Sequence, residues 1–302
     1  MAPRVHVHPD ADPAIVEAVR GGGAELVAPG EAEAIVWTGG PDGLAPLLGP
    51  GIRWVQLPMA GVEKWLAQGA IDRERVWTSA AGAYAHTVAE HTLGLILAGA
   101  RRLHLAARAT SWQTKEMNGH TLEGRRVAIV GTGGIGRSLI DMLEPFGTEV
   151  IAVTRSGREV EGAAESLPAD RLAEVWPRAD VVVLAAPATG ETKHLLGEAE
   201  LRALPEHAWV VNVARGSLLD TDALVRVLAD GAIAGAALDV TEPEPLPDDH
   251  PLWSEPRALI TPHTANPPQA LLRRLAGRVE ENVRRFGAGD DLLGVVDLDR
   301  DY

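Results

Sequence analysis

RRVAIVGTGGIGRS, residues 125–138, is the stretch on which the fold turns. A β-branched run, Val127–Val130, meets Gly131, Gly133 and Gly136 and then a helical pattern, SLIDMLEPFG, with Gly134 and Ile135 inside the loop. The three glycines answer separate needs: a tight turn, close approach of backbone to a pyrophosphate, and tight helix–strand packing, with the diphosphate on the helix N-terminus. This order predicts dinucleotide binding, a plain structural turn being the alternative. Residues 131–138 also read G-x-x-x-x-G-R-S, one position from the phosphate loop of NTPases, but that loop needs a lysine where this chain has Arg137.

Working outward, short apolar runs recur at Val5–Val7, Ala34–Trp37, Trp54–Leu57, Val127–Val130, Val150–Val153, Val181–Ala185, Trp209–Val213, Ala236–Val240 and Ala258–Ile260. They are continuous rather than alternating, as in strands buried on both faces. Six fall between Val127 and Ile260, the number a dinucleotide-binding sheet needs, and the rest form a smaller unit. The expected fold is α/β: two doubly wound parallel-sheet domains, Rossmann or flavodoxin-like, joined by crossing helices with a cleft between them. Residues from Tyr84 to Ala107 predict one long buried helix. Asn266 before Pro267-Pro268 reads as the N-cap of a second helix, ALLRRLAGRVEENVRRF, residues 270–286. The expected domains are 1–98 plus 267–302 for substrate and 99–266 for the dinucleotide.

The 302 residues exceed what one small domain needs, and 28 basic against 42 acidic residues leave a net charge of −14. No basic stripe forms, so a nucleic-acid partner is not expected. The absence of cysteine removes disulfides, thiolate metal sites and a cysteine nucleophile. MAPRVHVHPD has no apolar signal core, and the most apolar run, Leu93 to Ala100, is far short of the ~20 residues of a membrane span. No membrane partner and a cytoplasmic location are expected.

In this sheet type the second strand ordinarily ends in an acid that binds the adenosine ribose. Here it ends at Thr154-Arg155-Ser156, with no carboxylate between Glu149 and Glu159. Arg155 can pair with a 2′-phosphate and Ser156 can donate to it, so NADP(H) is expected over NAD(H), which stays possible. The alternative is a solvated loop arginine. Ligands of open parallel sheets sit outside the carboxyl ends of the strands. Arg215 follows the fourth strand, Asp239 and Glu244 the fifth, and His263 the sixth. That set suits hydride transfer to a 2-oxo acid: an arginine fork on the substrate, histidine as proton donor, and a glutamate stabilising the imidazolium.

These residues carry a resemblance to the D-2-hydroxyacid dehydrogenase family. It runs over essentially the whole chain, through PMAGVEKW (58–65), VAEHTLGLILA (88–98), GTGGIG (131–136), VNVARGSLLD (211–220), AALDVTEPEPLP (236–247) with HPLW (250–253), and LITPH (259–263). The resemblance implies Arg215, Glu244 and His263 as the catalytic set, Asp239 facing the nicotinamide amide, and the backbone at Ala60-Gly61 holding the substrate carboxylate. It implies that Ala186, Pro187 and Thr192, in AAPATGETKHLL, line the cofactor along with Val213 and Ala214. Glyoxylate and hydroxypyruvate are the implied substrates, because DVTEPEPLP and Thr154-Arg155-Ser156 most resemble the reductases of those acids. A homodimer is implied, with the segment 107–118 in its contact.

Some features depart from the family pattern. Thr264-Ala265-Asn266 lacks the glycine or tryptophan usual three places after the histidine. Formate dehydrogenases carry glutamine where this chain has Glu244, so their chemistry is not expected. A phosphoglycerate dehydrogenase without a regulatory domain is the enzymatic alternative. A non-catalytic, dinucleotide-sensing interaction protein is the alternative of another class. No metal is expected: His86, Glu90 and His91 share no protease-type spacing and read as packing residues. Trp54, Trp65 and Trp77 read as core or interface aromatics.

Overall fold

The computed structural model describes residues 2–112 and 117–298. The chain divides into two compact units, Met1–Tyr84 with Asn266–Tyr302, and Ala85–Ala265. The first begins with β1 (Arg4–His8), α1 (Pro13–Gly21), β2 (Glu25–Leu26), β3 (Ala34–Trp37), β4 (Trp54–Gln56), α2 (Glu63–Ala67) and β5 (Val76–Thr78). Its strands form a parallel sheet in the order β2-β1-β3-β4-β5. Ile35, Trp37, Val55, Leu57, Trp65 and Trp77 fill one core, and Trp54 is wholly buried.

The second unit starts with α3 (Ala85–Ala100) and α4 (Leu103–Arg108). The single long helix expected from Tyr84 to Ala107 is thus two helices. Arg102 is left-handed at φ 52°, and the carbonyl of Ala100 accepts from His120 N–H at 2.8 Å. A cap that arrives from twenty positions downstream ends α3 and leaves no trace in the local apolar period.

There follow β6 (Arg126–Val130), α5 (Gly134–Leu143), β7 (Glu149–Thr154), β8 (Glu165–Pro168), α6 (Leu172–Val175), β9 (Val181–Leu184), α7 (Glu198–Ala203), β10 (Trp209–Asn212), α8 (Thr221–Ala229), β11 (Gly235–Leu238) and β12 (Ala258–Ile260). Seven strands, one more than expected, form a parallel sheet ordered β12-β11-β10-β9-β6-β7-β8. Chain order reverses between β6 and β9, the switch point at which such sheets bind ligands. Both sheets are flanked by helices, as the fold class requires. Among the described residues no helix is long and apolar enough to cross a membrane.

The chain then returns to the first unit as α9 (Pro268–Ala288). Its N-cap is Pro267, with no side-chain cap bond, so Asn266 is not the expected cap. Proline in the first turn brings no N–H that needs one. A buried polar network ties α9 to the small sheet. Asn282 Nδ2 donates to Gln56 Oε1 (2.8 Å) and Leu293 O (2.9 Å), and its Oδ1 accepts from Leu293 N–H (2.8 Å). Thr78 Oγ1 donates to the same Gln56 oxygen, and Trp54 Nε1 donates to Thr78 Oγ1. Asn282→Leu keeps the branched shape, adds some bulk and strands the Leu293 amide and carbonyl, and should lower stability by about 2–4 kcal/mol. An unchanged urea midpoint would show the network to be dispensable.

Candidate active site

The glycine loop joins β6 to α5 at the switch point. Gly131 has φ +97°, and a Cβ there would lie 2.5 Å from Ala186 N and 2.6 Å from Ala185 C. A Cβ at Gly136 would meet Gly131 O at 2.5 Å. Both positions are glycine because the chain itself leaves no room. Gly133 differs: a Cβ there would touch nothing within 4 Å. It is also the N-cap of α5 and supplies no side-chain cap, so the helix presents bare amides. The hydroxyls of Thr132 and of Thr154, the last residue of β7, are buried without partners. Open space, uncapped amides and unpaired hydroxyls fit a dinucleotide diphosphate. Gly134 and Ile135 begin α5, while Arg155 and Ser156 stand exposed just beyond β7.

Ala186 and Pro187 follow β9, and Thr192 Oγ1 donates to Pro187 O at 2.8 Å. Val213, Ala214 and Arg215 follow β10 and are braced by the fully buried Asn212. Its Nδ2 donates to Arg215 O (2.9 Å), and its Oδ1 accepts from Ala214 N–H (3.1 Å). Arg215 Nη1 donates to Ala214 O at 2.8 Å. A Cβ at the next residue, Gly216, would fall 2.0 Å from Thr241 C and O. The arginine segment therefore lies directly on the loop that carries the two glutamates.

That loop pairs each glutamate with a histidine. Glu244 Oε1 lies 2.7 Å from His263 Nδ1, and Glu242 Oε2 lies 3.0 Å from His194 Nε2. A carboxylate only accepts, so Nδ1 of His263 carries a hydrogen and Nε2 is the atom left for proton exchange. The side chains of His263 and Glu244 are 54% and 43% exposed, open to an arriving ligand.

Asp239, by contrast, is 2% exposed. Its Oδ1 accepts from Thr261 Oγ1 (2.6 Å) and Thr264 N–H (2.9 Å), its Oδ2 from Ala265 N–H (3.2 Å), and His91 Nε2 stands 3.4 Å from Oδ1. Burial pushes its pKa up, but these hydrogen bonds, led by His91 and Thr261, outweigh it and hold the carboxyl below the ordinary value. These bonds fix the carboxylate of Asp239 in place beyond β11. His263 N–H in turn donates to Asp239 O (2.8 Å) and Thr261 O (2.9 Å).

Ala60 and Gly61 belong to the first unit, in the loop after β4, where Met59 O accepts from Ala80 N–H at 2.8 Å. Among the described residues no group of three or more His, Cys, Asp or Glu side chains could hold a metal ion. Sequence reasoning missed three participants: Asn212, the His194–Glu242 pair, and His91, read as packing. The partners of His194 and His91 are 48 and 170 positions away, beyond any local period, whereas Asn212 bonds the residues two and three places on.

The sequence model of the D-isomer specific 2-hydroxyacid dehydrogenase NAD-binding domain matches residues 93–265. The chain is 33% identical over 251 residues to a glyoxylate reductase of Korarchaeum cryptofilum, covering 80% of this chain and 75% of that one. It resembles the crystal structure of a D-isomer specific 2-hydroxyacid dehydrogenase from Xanthobacter autotrophicus in complex with NADPH and MES, at a TM-score of 0.86 and 28% identity over 100% of both chains. It also resembles an NADPH-dependent glyoxylate/hydroxypyruvate reductase from Sinorhizobium meliloti in complex with NADP and sulfate, at 0.82 and 25%, covering 99% of this chain and 100% of that one. The chain belongs to the D-isomer specific 2-hydroxyacid dehydrogenase family and is an NAD(P)-dependent oxidoreductase of the CH–OH group of hydroxy acids.

Proposed function

We propose that the protein is a reductase of small 2-oxo acids, glyoxylate or hydroxypyruvate, that prefers NADPH and forms D-2-hydroxy acids reversibly. The observation that carries the reading is the 2.7 Å pair of Glu244 and His263, on the same strand ends as Arg215 and the glycine loop. NADPH, when bound, supplies the hydride. Arg215 grips the substrate carboxylate and polarises the oxo group, and backbone amides at Ala60-Gly61 hold the same carboxylate. His263 gives its Nε2 proton to the oxo oxygen, while Glu244 stabilises the imidazolium through Nδ1. Gly131, Gly133 and Gly136 carry the diphosphate, and Ala186, Pro187, Thr192, Val213 and Ala214 line the cofactor. Arg155 and Ser156 hold the 2′-phosphate, which the lack of an acid at the end of β7 supports.

The substrate reading draws on the names of the glyoxylate and hydroxypyruvate reductases above. The protein works as a homodimer in the cytoplasm, and the family segment expected in the subunit contact, 107–118, includes residues 113–116, which lie outside the described residues. Sedimentation as a monomer would overturn that state.

The deciding assay is a panel of 2-oxo acids, 3-phosphohydroxypyruvate among them, with each nicotinamide nucleotide. Glyoxylate or hydroxypyruvate with NADPH should give the highest kcat/KM; a higher value with NADH or with the phosphorylated acid would overturn the proposal. Arg155→Asp should lower kcat/KM for NADPH about 10- to 100-fold by removing a charge-assisted contact, with NADH little affected. No change would move the phosphate contact elsewhere. Arg215→Ala and His263→Ala should each cut kcat about 10²- to 10⁴-fold. Near-normal turnover in either variant would remove that residue from the chemistry.

A further inference from the structure

α3 buries Val88, Ala89, Thr92, Leu95 and Ile96, and among them it carries the half-buried imidazole of His91. His91 Nε2 lies 3.0 Å from Thr261 Oγ1 and 3.4 Å from Asp239 Oδ1. The hydrogen of the Thr261 hydroxyl is committed to Asp239 Oδ1 at 2.6 Å, so that hydroxyl can only accept from the ring. Asp239 Oδ1 can only accept as well. The Nε2 atom therefore carries the hydrogen and shares it between the two oxygens in a three-centre bond.

What this node controls is the turn 261–265. Asp239 receives the amides of Thr264 and Ala265 and the hydroxyl of Thr261, and its carbonyl receives the amide of His263. His263 sits at the apex with φ +53°, a left-handed conformation that a non-glycine residue holds only when its surroundings impose it. From that backbone its ring meets Glu244. We infer that His91 is a positioning residue for the reaction: through Thr261 and Asp239 it fixes the turn that sets the His263 imidazole against Glu244. The inference rests on His263 being the proton donor.

The test compares His91→Leu, which keeps bulk and removes the donor, with His91→Gln, whose amide can restore an N–H near the same place. Displacement of a reacting group by a fraction of an ångström acts on turnover, so His91→Leu should lower kcat about tenfold or more while the KM values for the oxo acid and NADPH stay within about twofold. His91→Gln should recover most of the loss. Thr261→Val should mimic His91→Leu, and the double variant should be no worse than either single one, because both act through one node. A His91→Leu enzyme with parental kcat, a fall in melting temperature with turnover kept, no recovery by Gln, or multiplying losses in the double variant would each overturn the inference. His263→Ala in the same assay separates the two readings. If that variant stays active, the proton-donor assignment fails; if it is dead while His91→Leu is normal, only the role of His91 fails.

Discussion

Taking a carboxylate out of water costs several kcal/mol unless donors replace its hydration. Asp239 is almost wholly buried, and the donors that replace its water come from the turn 261–265 and from α3. The turn can satisfy that carboxylate only by wrapping around it, and the residue forced to its apex is His263. The acid that holds this turn and the imidazole at its apex are thus separate parts of one arrangement. Glu244 meets the His263 ring while its own side chain stays exposed, so it adds no buried charge to the turn.

The cofactor end follows a different logic. Gly131 and Gly136 are demanded by backbone atoms of the chain itself, whereas Gly133 is bare against open space. The loop is shaped from within and left unfilled on one side, which is what a site built for a diphosphate requires.

Much of this was legible in the residues alone. Strands buried on both faces announce themselves as continuous apolar runs, and every such strand of both sheets was found. The three that escaped, β2, β5 and β8, all lie at sheet edges. There one side of the backbone is unpaired and the sequence is short or polar, EL, VWT and ESLP, so the apolar signal fades. Arg215, Asp239, Glu244 and His263 were legible as candidates because parallel sheets put ligand-facing groups just past strand ends. His91 was not, since a histidine on a helix face looks the same whether it packs or donates, and its partner is 170 positions away. The break between α3 and α4 was hidden for the same reason: the amide that closes it belongs to His120.

The strand order separates two tasks in space. β7, which is followed by Arg155, and β11, which leads into Asp239 and Glu244, stand four strand steps apart, about 19 Å at ordinary strand spacing. Substitution at the solvent-facing loop after β7 can therefore leave the hydrogen-bonded groups beyond β11 and β12 in place. Such modularity lets heritable change at one end of the sheet spare the other.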